Sequence, residues 1–230
     1  KERNMEVHAM VNTILETLNK SFPFIQKDIP SYANQKVGMM DIHIDQYEIQ
    51  GVGNLSVLKG EAKQFGMKMD TLVLVPLEKD APLYSYDRIY AMGMDTCIVE
   101  VYDTLLDKEN PIFIKHNETM NQIKESFTMD TVMDLGTHWY DSLKLPSSFS
   151  HKGENTYSKQ YDSMVQMHFD AYIQMLHQVN QCNPDEKKTI SRKYVNGLFE
   201  YGGPATDEYV KSIGKEAAMD LFYTVVFGVK

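Results

Sequence analysis

The chain has 230 residues, 43% hydrophobic and 24% charged, an ordinary globular balance with enough apolar content for a full core. Its formal net charge of -9, with no lysine- or arginine-rich block, argues against nucleic acid as a partner, because phosphates would be repelled. No apolar run approaches the ~18 residues that a membrane-spanning helix needs.

The chain opens on Lys1, so residues upstream, a removed leader included, fit the sequence. Val7, Val11, Ile14, Leu15 and Leu18 recur at helical spacing and predict a helix over residues 2–20, ending before Pro23. Strand-like runs follow at 39–49, 54–64, 67–77, 83–92 and 96–104. Their short connections predict antiparallel neighbours, since parallel crossovers need a dozen residues or more. Met92-Gly93-Met94-Asp95 reads as the turn between the last two.

Residues 117–134 are read as a helix and Leu145-Pro146-Ser147-Ser148-Phe149-Ser150 as loop. From 157 to 180, Tyr161, Met164, Val165, His168, Tyr172, Met175 and Leu176 form one helical stripe. Asn183 caps the next helix, with Pro184 at its first position, and that helix ends near Tyr201-Gly202-Gly203-Pro204. A closing helix opens at Ala205 or Thr206, with Asp207 and Glu208 in its first turn. Strands first and helices after predict an α+β fold, a three-layer α/β/α sandwich with a central antiparallel sheet. No linker or composition break divides residues 1–230, which are read as a single domain.

Common enzyme signatures are missing: there is no Gly-x-Gly-x-x-Gly, no phosphate loop and no Gly-x-Ser-x-Gly elbow. His168 and His177 lie nine apart on one helix and so on opposite sides of it, and no metal is expected. Cys97 and Cys182 have no metal spacing, and Cys97 falls mid-strand; a reduced, cytoplasmic setting is expected. Fifteen methionines suit an adaptable interior; several precede an aspartate, at spacings too irregular for a repeat.

The chemistry that remains is carboxylates in strands. Alternation puts Leu83, Ser85, Asp87 and Ile89 on one face, and Tyr84, Tyr86, Arg88 and Tyr90 on the other. Asp87 thus sits on a largely apolar face, where a carboxylate needs a partner or a task, and Arg88 points away from it. A structural acid paired to a neighbouring strand is one reading. The other brings in Glu61, on a strand with Lys59 and Lys63 on its own face, as a second acid across the sheet. Two carboxylates in one apolar cleft raise each other's proton affinity, as a proton donor at neutral pH requires.

Three blocks, spread over roughly residues 55–228, carry a resemblance. Leu72-Val73-Leu74-Val75-Pro76 is followed by Pro82-Leu83-Tyr84-Ser85-Tyr86-Asp87. Leu145-Pro146 and Phe149-Ser150 precede a long helix. Gly203-Pro204-Ala205, Val210, Gly214, Ala217 and Val226-Phe227 close the chain. In that order they resemble the ferredoxin-dependent bilin reductases and the related red chlorophyll catabolite reductases, whose fold is an antiparallel sheet between helices.

The resemblance implies reduction of an open-chain tetrapyrrole by single electrons from external reduced ferredoxin, with pocket acids supplying protons and no tightly held cofactor. Asp87 falls on the family's protonating aspartate, and Glu61 on a glutamate that lines the pocket in part of the family. Thr71 stands where one branch has a histidine, and Gly203 where other branches carry a second aspartate. Ser85 and Ser150, within the matching blocks, join Thr71 and Gly203 as substrate-binding candidates. Lys152 and Lys159 are candidates for propionate contacts and, with Lys211, for a basic patch facing ferredoxin. A tetrapyrrole carrier or sensor without catalysis is the alternative on the same fold.

Overall fold

The structure, a computed structural model, describes residues 8–230. Helix α1 spans Ala9–Ser21; the part of the predicted first helix before residue 8 lies outside the described residues. Two short strands, β1 (Phe24–Gln26) and β2 (Asn34–Val37), precede five long ones. These are β3 (Met40–Ile49), β4 (Gly53–Ala62), β5 (Met67–Pro76), β6 (Leu83–Ala91) and β7 (Met94–Tyr102). Helix α2 (Pro111–Ser126) leads to β8 (Phe149–Glu154). Helices α3 (Ser158–Gln178), α4 (Pro184–Glu200), α5 (Pro204–Ile213) and α6 (Lys215–Leu221) follow, the last running into a π-helical turn, Phe222–Val226.

One sheet runs in the order β1-β3-β4-β5-β6-β7-β8, with β2 also on β3 and every pairing antiparallel. Helices cover both faces, so the central strands are apolar on both sides. Leu55, Val57, Leu72, Leu74, Tyr84 and Tyr86 pack under α1, α2 and α3. Leu58, Val73, Val75 and Leu83 pack under α4, α5, α6 and the π turn. This is the expected α+β sandwich.

The β6–β7 hairpin closes on a two-residue loop, Met92-Gly93, with φ of 50° and 74°. Both residues are left-handed, the mirror-image turn that matches the strands' twist. Arg88 points away from Asp87, as alternation requires. It is fully buried on the α3 face, where Nη2 donates to Asp95 Oδ2 at 2.7 Å and Nη1 lies 3.1 Å from Asp162 Oδ1. Ser158 donates to the same Asp95 oxygen. This charge-assisted fork ties the hairpin to the start of α3.

Three expectations are corrected. The helix read at 117–134 instead spans Pro111–Ser126, opening where the Asn110 side chain accepts from Ile112 N and ending before Phe127. The loop read at 145–150 ends in β8, whose Phe149 and His151 are buried against α3. The closing helix is two helices, broken at Gly214, whose φ of 87° no helix continues through.

Candidate functional site

The inter-strand registers decide what shares Asp87's face. Asp87 pairs with Thr71 on one side and Ile98 on the other; Thr71 in turn pairs with Leu58. All face the layer of α4 and α5. Between that layer and β4–β7 lies a cavity of about 380 Å³. Its walls are mostly apolar and aromatic: Leu58, Val73, Ile98, Tyr140, Tyr194 and Phe222 among them. Thr71, Ser85, Asp87 and Glu100 bring polar groups from the sheet, and His138 and Thr206 line the cavity as well. Size, apolar walls and a few placed polar groups are what a small-molecule site needs.

The Asp87 carboxyl borders the cavity and so keeps some accessible surface, yet protein packs closely around it. Burial pushes it from its ordinary 3.8 up to about 7. The Thr71 hydroxyl, which donates to Oδ1, works against that rise, and the Glu100 charge adds to it. Asp87 is therefore poised between acid and carboxylate at neutral pH, the condition for moving a proton there.

Glu100 is a site residue that sequence reasoning missed. It pairs with Ser85 and so lies diagonal to Asp87 on the same face. Its Oε2 accepts from Tyr102 at 2.6 Å and its Oε1 lies 2.7 Å from Lys144 Nζ. Lys144 also lies 3.1 Å from Asp141, which accepts from the His138 backbone N–H at 2.7 Å. The signal was available. Once Met92-Gly93 is taken as a two-residue loop, Ala91 faces Met94, and counting back along both strands places Ser85 opposite Glu100.

Glu61 is not the second acid. It pairs with Lys68, which pairs with Tyr90, so it lies on the face of Tyr84 and Arg88. The β4–β5–β6 registers put it there, and Leu58 takes the β4 position on Asp87's face. Thr71, Ser85 and Gly203 do line the cavity. Ser150 faces a neighbouring hollow that shares Glu100 and Leu135 with it, and donates to Met133 O at 2.6 Å. Lys152 is exposed on the edge strand β8 and is not a wall residue; Lys159 is exposed on α3, the helix packed against the other face. Among the described residues, no lysine or arginine lines the cavity.

Packing fixes the walls. Gly203 caps α5 without a side chain, and a Cβ there would come within 2.9 Å of Thr206 Oγ1. That is why an aspartate does not fit this position without movement. Gly197 of α4 leaves the space that the Trp139 indole fills; a Cβ would lie 2.2 Å from the ring. Trp139 Nε1 then donates to Gly202 O at 2.8 Å, holding the turn Trp139–Leu143 that presents Tyr140 to the cavity. Burial raises the phenols of Tyr102, Tyr140, Tyr194 and Tyr209 above their ordinary range, so they act as neutral donors. The Tyr209 hydroxyl is buried with no hydrogen-bond partner among the described residues.

No family model matches the chain, and no curated protein sequence matches it. Solved structures do match. One is phytochromobilin synthase from tomato in complex with biliverdin, with a TM-score of 0.72, 12% identity, and coverage of 96% of this chain and 82% of that one. At that identity the likeness carries the fold and not the activity; the fold is that of the family which the three sequence blocks resemble.

Proposed function

We propose that the cavity binds an open-chain tetrapyrrole and that Asp87 supplies a proton for its reduction, with reduced ferredoxin delivering electrons singly. The observation that carries this reading is Asp87 itself, a carboxyl held near neutrality in the wall of an apolar, aromatic cavity. The fold likeness to an enzyme solved with biliverdin supports the ligand class. Reduction of one double bond takes two electrons and two protons, and the chain's own part is to shield the conjugated system from water and to hold the first proton at Asp87. The flat, conjugated ligand suits walls of tyrosine and phenylalanine. Its acid groups belong at the mouth, because the wall built by the described residues contributes no cation.

The alternative, a carrier without catalysis, draws support from Thr71. A hydroxyl bonded to Asp87 holds that carboxyl but brings no second titrating group beside it. An absorbance titration with biliverdin tests binding. The reading predicts a shifted bound spectrum that Ser85→Phe, which fills the cavity from β6, abolishes. A spectrum unaffected by Ser85→Phe, or no shift at all, would remove the cavity from the account.

A further inference from the structure

Two carboxyls face this cavity, and their surroundings differ. Glu100 has both oxygens engaged, by the Tyr102 hydroxyl at 2.6 Å and the Lys144 ammonium at 2.7 Å. Asp87, diagonal to it across the β6–β7 pair, has one donor, the Thr71 hydroxyl. Lys144 is itself shared with Asp141, and its side chain and that of Glu100 are 18% and 15% exposed, so solvent screens the pair only in part. When two acids share a low-dielectric site, the better-solvated one keeps the charge and the other keeps the proton.

We infer that Glu100 is a positioning residue that adds to burial in keeping a proton on Asp87, and that Lys144, bonded to Glu100, limits what it adds. The inference rests on Asp87 being the proton donor of the proposed reaction, but the coupling belongs to the protein without ligand. Other titratable groups facing the cavity are Tyr102 of β7, His138 and Tyr140 beside the Trp139 turn, Tyr194 of α4 and Tyr209 of α5. The wall positions on β4, β5 and the π turn carry no titratable side chain. The phenols stay neutral, which leaves His138 as the group to control.

The test follows the Asp87 carboxyl in the ligand-free protein by carbon-detected NMR across pH 4 to 9, its signal assigned by its loss in Asp87→Asn. Glu100→Gln keeps the shape and the acceptor oxygen but removes the charge, and the midpoint should fall by about one pH unit. Lys144→Met removes the opposing charge, and the midpoint should rise. Tyr102→Phe, which leaves both charges in place, should move it less than either, and His138→Gln should leave the order of the variants intact. Opposite shifts in the two charge variants are something a merely structural role would not produce. An unmoved midpoint in Glu100→Gln, or shifts of the same sign in both, would overturn the inference; if Glu100→Gln does not fold, the Lys144→Met midpoint alone decides, and a fall or no change would overturn it. Because no tetrapyrrole is present, a protein that fails to bind biliverdin can still show the coupling, so the two readings fail separately.

Discussion

Replacing Asp87 by asparagine keeps the shape of the cavity wall and the acceptor for Thr71, and removes one titration. The folded protein holds the Asp87 proton up to about pH 7, through burial first, opposed by the Thr71 hydrogen bond and aided by Glu100; the unfolded chain releases it near 3.8. Between those values the folded state binds the proton and the unfolded state does not. The stability it contributes is therefore full below about pH 4 and is lost as pH rises through 7. About three units, at about 1.4 kcal/mol each, set an upper bound of about 4 kcal/mol. The carboxyl borders a cavity that admits water, and about 2–3 kcal/mol is the working expectation after that screening. Urea unfolding of both proteins at several pH values from 4.5 to 8 reads the effect as a difference. Relative to wild type, Asp87→Asn should gain about 2 kcal/mol over that range, since the part between pH 3.8 and 4.5 falls outside it. A difference that stays constant with pH would refute the proposition that Asp87 carries a proton near neutrality.

His168 acts with the opposite sign. Its Nε2 faces Ser147 O at 3.0 Å and so carries the hydrogen, while Nδ1 accepts from Tyr84 at 2.9 Å; burial pushes it from 6.5 down to about 4. Stability should fall by up to about 3 kcal/mol as pH drops from 6.5 to 4, and His168→Gln should flatten that limb in the same urea series. Arg88→Met strands the buried Asp95 and should cost about 3–5 kcal/mol, most of it recovered when Asp95→Leu is added; thermal unfolding of single and double variants reads both. Tyr209→Phe removes a buried hydroxyl that has no partner among the described residues and should leave the melting temperature unchanged or raise stability by about 1 kcal/mol. A clear loss in that variant would mean that the hydroxyl is satisfied in solution.

The long strands were legible because each alternates or runs apolar over nine or ten residues, bounded by glycine or proline; hence the five runs and the opposite facing of Asp87 and Arg88. β8 was not, because its inward residues are Phe149, His151 and Gly153, and a histidine and a glycine give no hydrophobic alternation. Pairing with β7 makes it a strand. The start of α2 carries the same Asn-Pro signal as α4, Asn110-Pro111 against Asn183-Pro184, but few of its residues are buried, so its periodicity is weak. Glu61 shows the harder limit. Which face of β4 matches Asp87's face depends on two successive registers, and the three-residue helical turn Lys63–Phe65 that sets the first has no parity visible in the sequence. Only a two-residue hairpin fixes register locally, and that is why Glu100, unlike Glu61, was within reach.

The account stands most directly on what happens to biliverdin in the cavity when reduced ferredoxin is added without oxygen, followed by absorbance in wild type and in Asp87→Asn. Wild type should bind the pigment and convert it, its bound spectrum giving way to that of a less conjugated product. Asp87→Asn should bind with similar affinity and stall before product. Equal conversion in both proteins, or a bound spectrum that reduced ferredoxin leaves untouched in wild type, would contradict a proton delivered by Asp87.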